Sequence, residues 1–185
     1  MTQPDLATRH RERASRFAAV IDGVTDWDAP TPVREWSARD VVAHLTSWFP
    51  EFLAAGGVTI PVGDPRTPDV SWARQAAAVQ ALLDDPASAE TTFAHPYVPP
   101  QSLAGAIDTF YSVDIFMHTW DLARASGQDD NLDEATCTEL LTGMQSMADL
   151  IRGSGQFGEQ QPVADDAPVQ HRLLAFIGRD PHWRP

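Results

Sequence analysis

The chain has 185 residues, a length that suits one domain with a substantial core. Its 26 acidic residues against 13 basic ones give a formal net charge of −13, which argues against nucleic acid or an anionic membrane as a partner. The single cysteine, Cys137, excludes an internal disulfide and fits a reducing cytoplasm. No apolar run is long enough to cross a bilayer, and the start, Met-Thr-Gln-Pro-Asp-Leu, lacks the charged and then apolar pattern of a signal peptide.

Residues from about Asp5 to Asp22 read as a first helix, with Leu6, His10, Ala14, Phe17 and Ile21 as its inward stripe and Gly23 as its stop. A lone histidine in an early turn is more often solvated or capping, so His10 carries little weight as a ligand. Asp26 to Trp36, with two prolines, reads as a loop pinned by tryptophans. Ser37 and Asp40 resemble a capping box that opens a second helix. Val41, His44, Leu45, Trp48 and Phe52 share its apolar face, which places His44 at a core position; Pro50 is expected to kink or end it. Gly56-Gly57 and the prolines at 61, 65 and 68 form a connection. A third helix, about Asp69 to Leu83, offers Val70, Trp72, Ala73, Ala77 and Leu83 as its buried side. Asp84 to Pro100, with four prolines, reads as a long ordered loop carrying His95 between Phe93 and Tyr97.

A fourth helix, about Gln101 to Ser126, is apolar on nearly every face, as expected of a helix buried on more than one side. Asp114, His118 and Asp121 nevertheless lie on one stripe of it, spaced by four and then three, together with Ala104, Ile107, Tyr111 and Ala125. Ionisable groups on such a seam are costly unless paired, hydrogen-bonded or bound to a metal. A fifth helix, about Asp133 to Arg152, would pack through Leu140, Leu141, Met144, Met147 and Leu150, and a last one, about Pro168 to Ile177, through Leu173, Leu174, Phe176 and Ile177. No stretch alternates at period two for long. The predicted class is all-α, a four-helix bundle with short C-terminal additions, with a core of about 5–152 and an extension of about 153–185 within one domain.

The candidate metal ligands are His44, Asp114 and His118. Two imidazoles and a carboxylate suit zinc, nickel, iron or manganese rather than calcium or magnesium, and three protein ligands leave a position for water or substrate. Asp121 either accepts a hydrogen bond from an imidazole or replaces Asp114 as ligand; spacing does not separate the two. The bland alternative is a set of buried His–Asp pairs that fixes helix register. Cys137 reads as a passive helix residue, with no positive charge near it in sequence. Ser47 and Ser112 lack a nucleophile elbow, and there is no phosphate loop or dinucleotide fingerprint.

The blocks Trp36-Ser-Ala-Arg-Asp-Val-Val-Ala-His44-Leu45 and Asp114-Ile-Phe-Met-His118-Thr-Trp-Asp-Leu-Ala-Arg-Ala125, with the tail from Asp165 to Pro181, resemble the DinB-like metal-binding four-helix bundles. Within them they are most similar to the branch related to mycothiol-dependent maleylpyruvate isomerase. The resemblance spans about Thr25 to Pro181. It implies a divalent metal held by His44, Asp114 and His118, and a mycothiol-type thiol as co-substrate that the metal activates toward an electrophile. Arg124, one turn past the site, and His95, from the loop, are the candidates to hold an anionic thiol or substrate. The isomerase has Glu in place of Asp114 and a further C-terminal domain where only a short tail follows here. The resemblance therefore implies thiol transfer or conjugation on another substrate rather than maleylpyruvate isomerisation. Its rival is a non-catalytic metal- or ligand-binding bundle.

Overall fold

The computed structural model describes residues 5–153 and 155–185, and the Leu150 side chain and residues 1–4 lie outside that description. Helix α1 (Leu6–Asp22) is capped by Asp5, whose side chain accepts from the Thr8 amide at 2.8 Å. Its buried face is His10, Ala14, Phe17, Val20 and Ile21, so the expected stripe holds but His10 is not solvated: it is 1% exposed. Helix α2 (Ala38–Ala55) opens at Ser37, whose amide and hydroxyl both donate to Asp40 Oδ2, at 2.8 and 2.6 Å.

Pro50 does not end α2, which runs on for five more residues. A helical proline lacks an N–H and orphans the carbonyl four residues back. Here that carbonyl, on Thr46, accepts from the Gly63 amide at 2.9 Å, so the connection after α2 supplies the missing donor. Only glycine fits at 63, because a Cβ there would stand 2.4 Å from Thr46 Oγ1. Gly63→Ala is expected to push the connection off the helix and cost about 1–3 kcal/mol, read as a lower denaturant midpoint at unchanged slope.

Helix α3 (Pro68–Asp84) buries Ser71, Trp72, Gln75, Val79 and Leu83 rather than Val70, Ala73 and Ala77; Val70 is 51% exposed. Two polar residues go inward and donate there, although Gln75 Oε1 is buried without a partner among the described residues. Ser71 Oγ donates to the Asp64 carbonyl at 2.9 Å, and Gln75 Nε2 donates to the Leu45 carbonyl and Tyr111 Oη, both at 2.6 Å. The choice of face follows Trp72, which packs edge-on to Phe17 at 4.5 Å.

The expected loop after α3 holds a short helix α4 (Pro86–Ala89) and a β-hairpin, β1 (Thr92–His95) with β2 (Val98–Ser102). The pairing is antiparallel, Thr92 opposite Ser102 and His95 opposite Val98, with a bulge between Phe93 and His95. Only Phe93 of β1 is buried, so the alternation is too short to stand out in sequence. Pro99 and Pro100 are tolerated because both strands of a two-stranded sheet are edges.

The helical run after the hairpin is continuous but not uniform: α5 (Leu103–Ala106), a π-helical turn (Ile107–Ser112) and α6 (Val113–Ala125). α6 faces two apolar clusters. Ile115, Leu122 and Ala123 join the core built on α1, α2 and α3. Phe116, Met117 and Trp120 join a second core with α7 (Glu134–Ser146) and α9 (Val169–Phe176). The predicted fifth helix breaks at Met147, which leaves helical geometry and is 52% exposed, and resumes as α8 (Ala148–Gly153). Among the described residues no helix is long and apolar enough to cross a membrane. The fold is thus all-α in class, with a two-stranded hairpin that sequence periodicity does not announce.

Candidate metal centre

Two helices and one loop build the site. His44 comes from the middle of α2; Asp114 and His118 come from successive turns of α6. Their ligand atoms all lie within 4.8 Å of one another. His44 Nε2 is 3.1 Å from Asp114 Oδ2, and His118 Nε2 is 3.4 Å from Asp114 Oδ1. The three residues chosen from helical spacing therefore converge. The site opens on the His44 side, whose side chain is 31% exposed, while that of His118 is 6% exposed.

Trp36 covers the two imidazoles, with ring centroids 4.9 Å from His44 and 5.7 Å from His118. It reaches them from a turn in which Glu35 takes φ 67°, the left-handed region that L residues rarely adopt. Trp48, one turn after His44, donates Nε1–H to Asp114 Oδ2 at 3.0 Å. Burial pushes the Asp114 carboxyl up; the neighbouring His118 and His44 imidazoles and the Trp48 donor outweigh it and hold the group below the usual carboxylate range.

Asp121 lies behind the site. Its Oδ2 stands 2.8 Å from His118 Nδ1, and it is 1% exposed. Such burial raises its pKa, yet Arg179 and His118 prevail and keep it ionised. Arg179 holds it through a fork, Nε to Oδ1 at 3.1 Å and Nη2 to Oδ2 at 3.0 Å. That guanidinium arrives from the C-terminal segment just past Gly178. Gly178 has φ 88° and packs so tightly on the Gly158 backbone that a Cβ would meet Gly158 Cα at 2.5 Å.

An ionised Asp121 accepts, so His118 Nδ1 carries the proton and Nε2 presents a lone pair. That lone pair faces Asp114 Oδ1 at 3.4 Å, where a second acceptor stands. The juxtaposition is satisfied only by a positive species between them: a further proton or a cation. The donor set, two imidazole nitrogens and one carboxylate converging from one side, fits a divalent transition ion.

His95 and Arg124 occupy different surroundings. His95 stacks on Phe52 at 4.4 Å and belongs to a chain of rings that reaches His44 through Trp48. Arg124 is engaged with Asp130 at 2.9 Å, the Pro181 carbonyl at 2.8 Å and the Trp120 ring at 5.4 Å. These contacts hold the C-terminal tail against α6 and do not bring Arg124 to the triad. Cys137 is buried, and burial with the nearby Asp133 and Glu134 charges pushes its thiol up to about 12. Sequence reasoning passed over Arg179 as part of the chain's close, placed Trp48 in the core and gave Trp36 only a loop-pinning role.

The fold and this site define a helical bundle with a His–Asp–His cluster opening between α2 and α6. Residues 7–123 match the model of the mycothiol maleylpyruvate isomerase N-terminal domain, and the chain belongs to that family, a DinB-like helical family. Two relatives from Mycobacterium tuberculosis are each 31% identical over 184 residues, covering 95% of this chain and 98% of the relative. They are the uncharacterized protein MT0763 of strain CDC 1551 / Oshkosh and the uncharacterized protein Rv0738 of strain H37Rv. No solved structure matches the chain.

Proposed function

We propose that the chain is a metal-dependent protein of low-molecular-weight thiol chemistry, a transferase or isomerase that uses a mycothiol-type thiol on an electrophilic small molecule in the cytoplasm. The ion is divalent, zinc before nickel, iron or manganese, and His44, Asp114 and His118 hold it. The observation that carries the reading is the convergence of one ligand atom each from His44, Asp114 and His118 within 4.8 Å of one another. The family name, which joins mycothiol to an isomerase, supports the thiol as partner.

His44, Asp114 and His118 would hold a divalent ion, whose charge would favour the thiolate form of a small thiol and so supply a nucleophile without a protein cysteine. The chain's own residues do the rest. Asp121 fixes the His118 ring and its tautomer, Trp48 orients the Asp114 carboxylate, and Trp36 shields the imidazoles from bulk water. The partly exposed edge of His44 leaves a side from which thiol and substrate approach. Cys137, buried and held as a neutral thiol, takes no part.

The test is elemental analysis of untagged protein purified without nickel resin, beside His118→Ala. About one zinc, nickel, iron or manganese per wild-type chain, lost in the variant, is expected. Absence of metal from wild type, with none retained after addition of divalent ions and dialysis, sinks the proposal. Conjugation of a model electrophile in the presence of mycothiol then separates an enzyme from a bundle that only sequesters metal.

A further inference from the structure

A strip of aromatic rings leaves the triad on its open side. His44 and Trp48 have ring centroids 6.0 Å apart, Trp48 and Phe52 5.8 Å, Phe52 and His95 4.4 Å, and His95 and Tyr97 5.7 Å. Phe110 closes on Phe52 at 5.2 Å. Trp48, Phe52, Phe110 and His95 are half-buried, so each keeps part of its surface in solvent. Tyr97, at the tip of the hairpin, is 90% exposed. A tyrosine left in water at a hairpin tip adds nothing to the core it stands beside, while the ring chain beneath it leads back to the triad.

The charge around the strip narrows what it accepts. The 13 basic residues are all arginines, since the chain has no lysine. Among the described residues, no hydrogen bond, ion pair or cation–ring contact brings a guanidinium to Trp48, Phe52, His95 or Tyr97; the cation–ring contacts involve Phe116, Trp120 and Phe176 instead. Glu51, on α2 between Trp48 and Phe52, is exposed, and the net charge is −13. A carboxylate or sulfonate approaching the strip meets the net negative charge and no guanidinium in contact with these rings, whereas an uncharged ring gains stacking and apolar contact.

We infer that Trp48, Phe52, His95 and Tyr97 form a binding site for an uncharged, flat aromatic or conjugated small molecule, laid along the hairpin with one end toward the His–Asp–His cluster. That this ligand is the electrophile of the thiol reaction rests on the function proposed above; its binding does not. The hairpin is then a specificity element, which explains why it projects a tyrosine into solvent at the end of the ring strip that starts at His44.

The test uses two fluorescent probes with one ring system: N-phenyl-1-naphthylamine, uncharged, and 8-anilino-1-naphthalenesulfonate, which adds a sulfonate. The uncharged probe is expected to bind wild type more tightly. Tyr97→Ala should weaken it about two- to tenfold, and Tyr97→Phe, which keeps the ring, should not. Tyr97 is so exposed that its removal leaves the fold intact. Met147→Ala, at an exposed residue between α7 and α8, is the control and should bind as wild type does. Equal binding by Tyr97→Ala, equal weakening by Met147→Ala or preference for the sulfonate overturns the inference. So does a change of sedimentation coefficient in Tyr97→Ala, which would assign the tyrosine to a contact between copies. Metal content separates the two readings. Probe binding in a protein that holds no metal keeps the aromatic site and ends the thiol reading, and metal without probe binding does the reverse.

Discussion

Arg179→Ala is expected to lower stability by about 3–5 kcal/mol, the usual cost of removing one partner from a buried ion pair. Asp121 is 1% exposed and the Arg179 side chain 13% exposed, so the remaining carboxylate has little water to turn to. His118 Nδ1 would stay as its partner at 2.8 Å, but as a single donor where three had converged. The carboxylate then draws a second proton onto His118 or takes one itself. Either change spoils the lone pair that His118 Nε2 presents to the triad. A second effect is therefore expected: metal affinity falls about 10–100-fold, the usual result of losing a residue that orients a ligand. Urea unfolding measures the first and competition against a chelator the second. Arg179→Lys keeps the charge but not the fork and should fall between. A wild-type unfolding midpoint for Arg179→Ala would mean that Asp121 is already neutral in the folded protein, which would remove the argument for the His118 tautomer.

The reach of the sequence depended on how far apart the partners lie. Asp114, His118 and Asp121 share one stripe of one helix, so helical spacing alone places them together, and a histidine on the apolar face of α2 marks where a further group comes from. The Asp121–Arg179 pair spans 58 residues and depends on two glycine backbones touching at 158 and 178, a tertiary fact with no local signature. The same holds for Pro50. Its local rule says the helix should break, and the donor that prevents this comes from Gly63, beyond the helix end. On α3, side-chain size and hydrogen bonding decide the face. Gln75 goes inward because Tyr111 and the Leu45 carbonyl await it, and Val70 goes outward in spite of its hydrophobicity. The π-helical turn at Ile107–Ser112 is equally silent in sequence, yet it sets the rotation of α6 relative to the start of the run. It turns Ser112 toward α1, where His10 Nδ1 lies 2.9 Å from its hydroxyl, while Tyr111 stacks on Phe49 at 3.8 Å.

That inward histidine makes stability depend on pH in a defined window. Burial is the main cause that lowers the His10 pKa from 6.5 to about 4, and the Arg13 and Arg11 charges add to it. Ser112 Oγ faces Nδ1, the Tyr111 ring stacks at 5.9 Å, and Nε2 is buried with no partner among the described residues. Among the described residues no carboxylate is hydrogen-bonded or ion-paired to the ring to stabilise an imidazolium. Between pH 6.5 and 4 the unfolded chain binds a proton at His10 that the folded protein refuses. The contribution is therefore complete above about pH 6.5 and is lost as the pH falls toward 4, amounting to about 3 kcal/mol across the window. Asp114 and Asp121 act lower down. Their folded pKa values lie below the ordinary 3.8, so their contribution persists above that value and is lost only as the pH falls through the folded pKa. The two ranges separate in a series of urea titrations at fixed ionic strength. His10→Gln removes the titration while keeping a polar side chain near Ser112, so its stability relative to wild type should rise by about 3 kcal/mol from pH 6.5 to pH 4. A constant difference across that interval would show that His10 gains its proton without opening the core, through water reaching Nε2 between α1 and the π-helical turn.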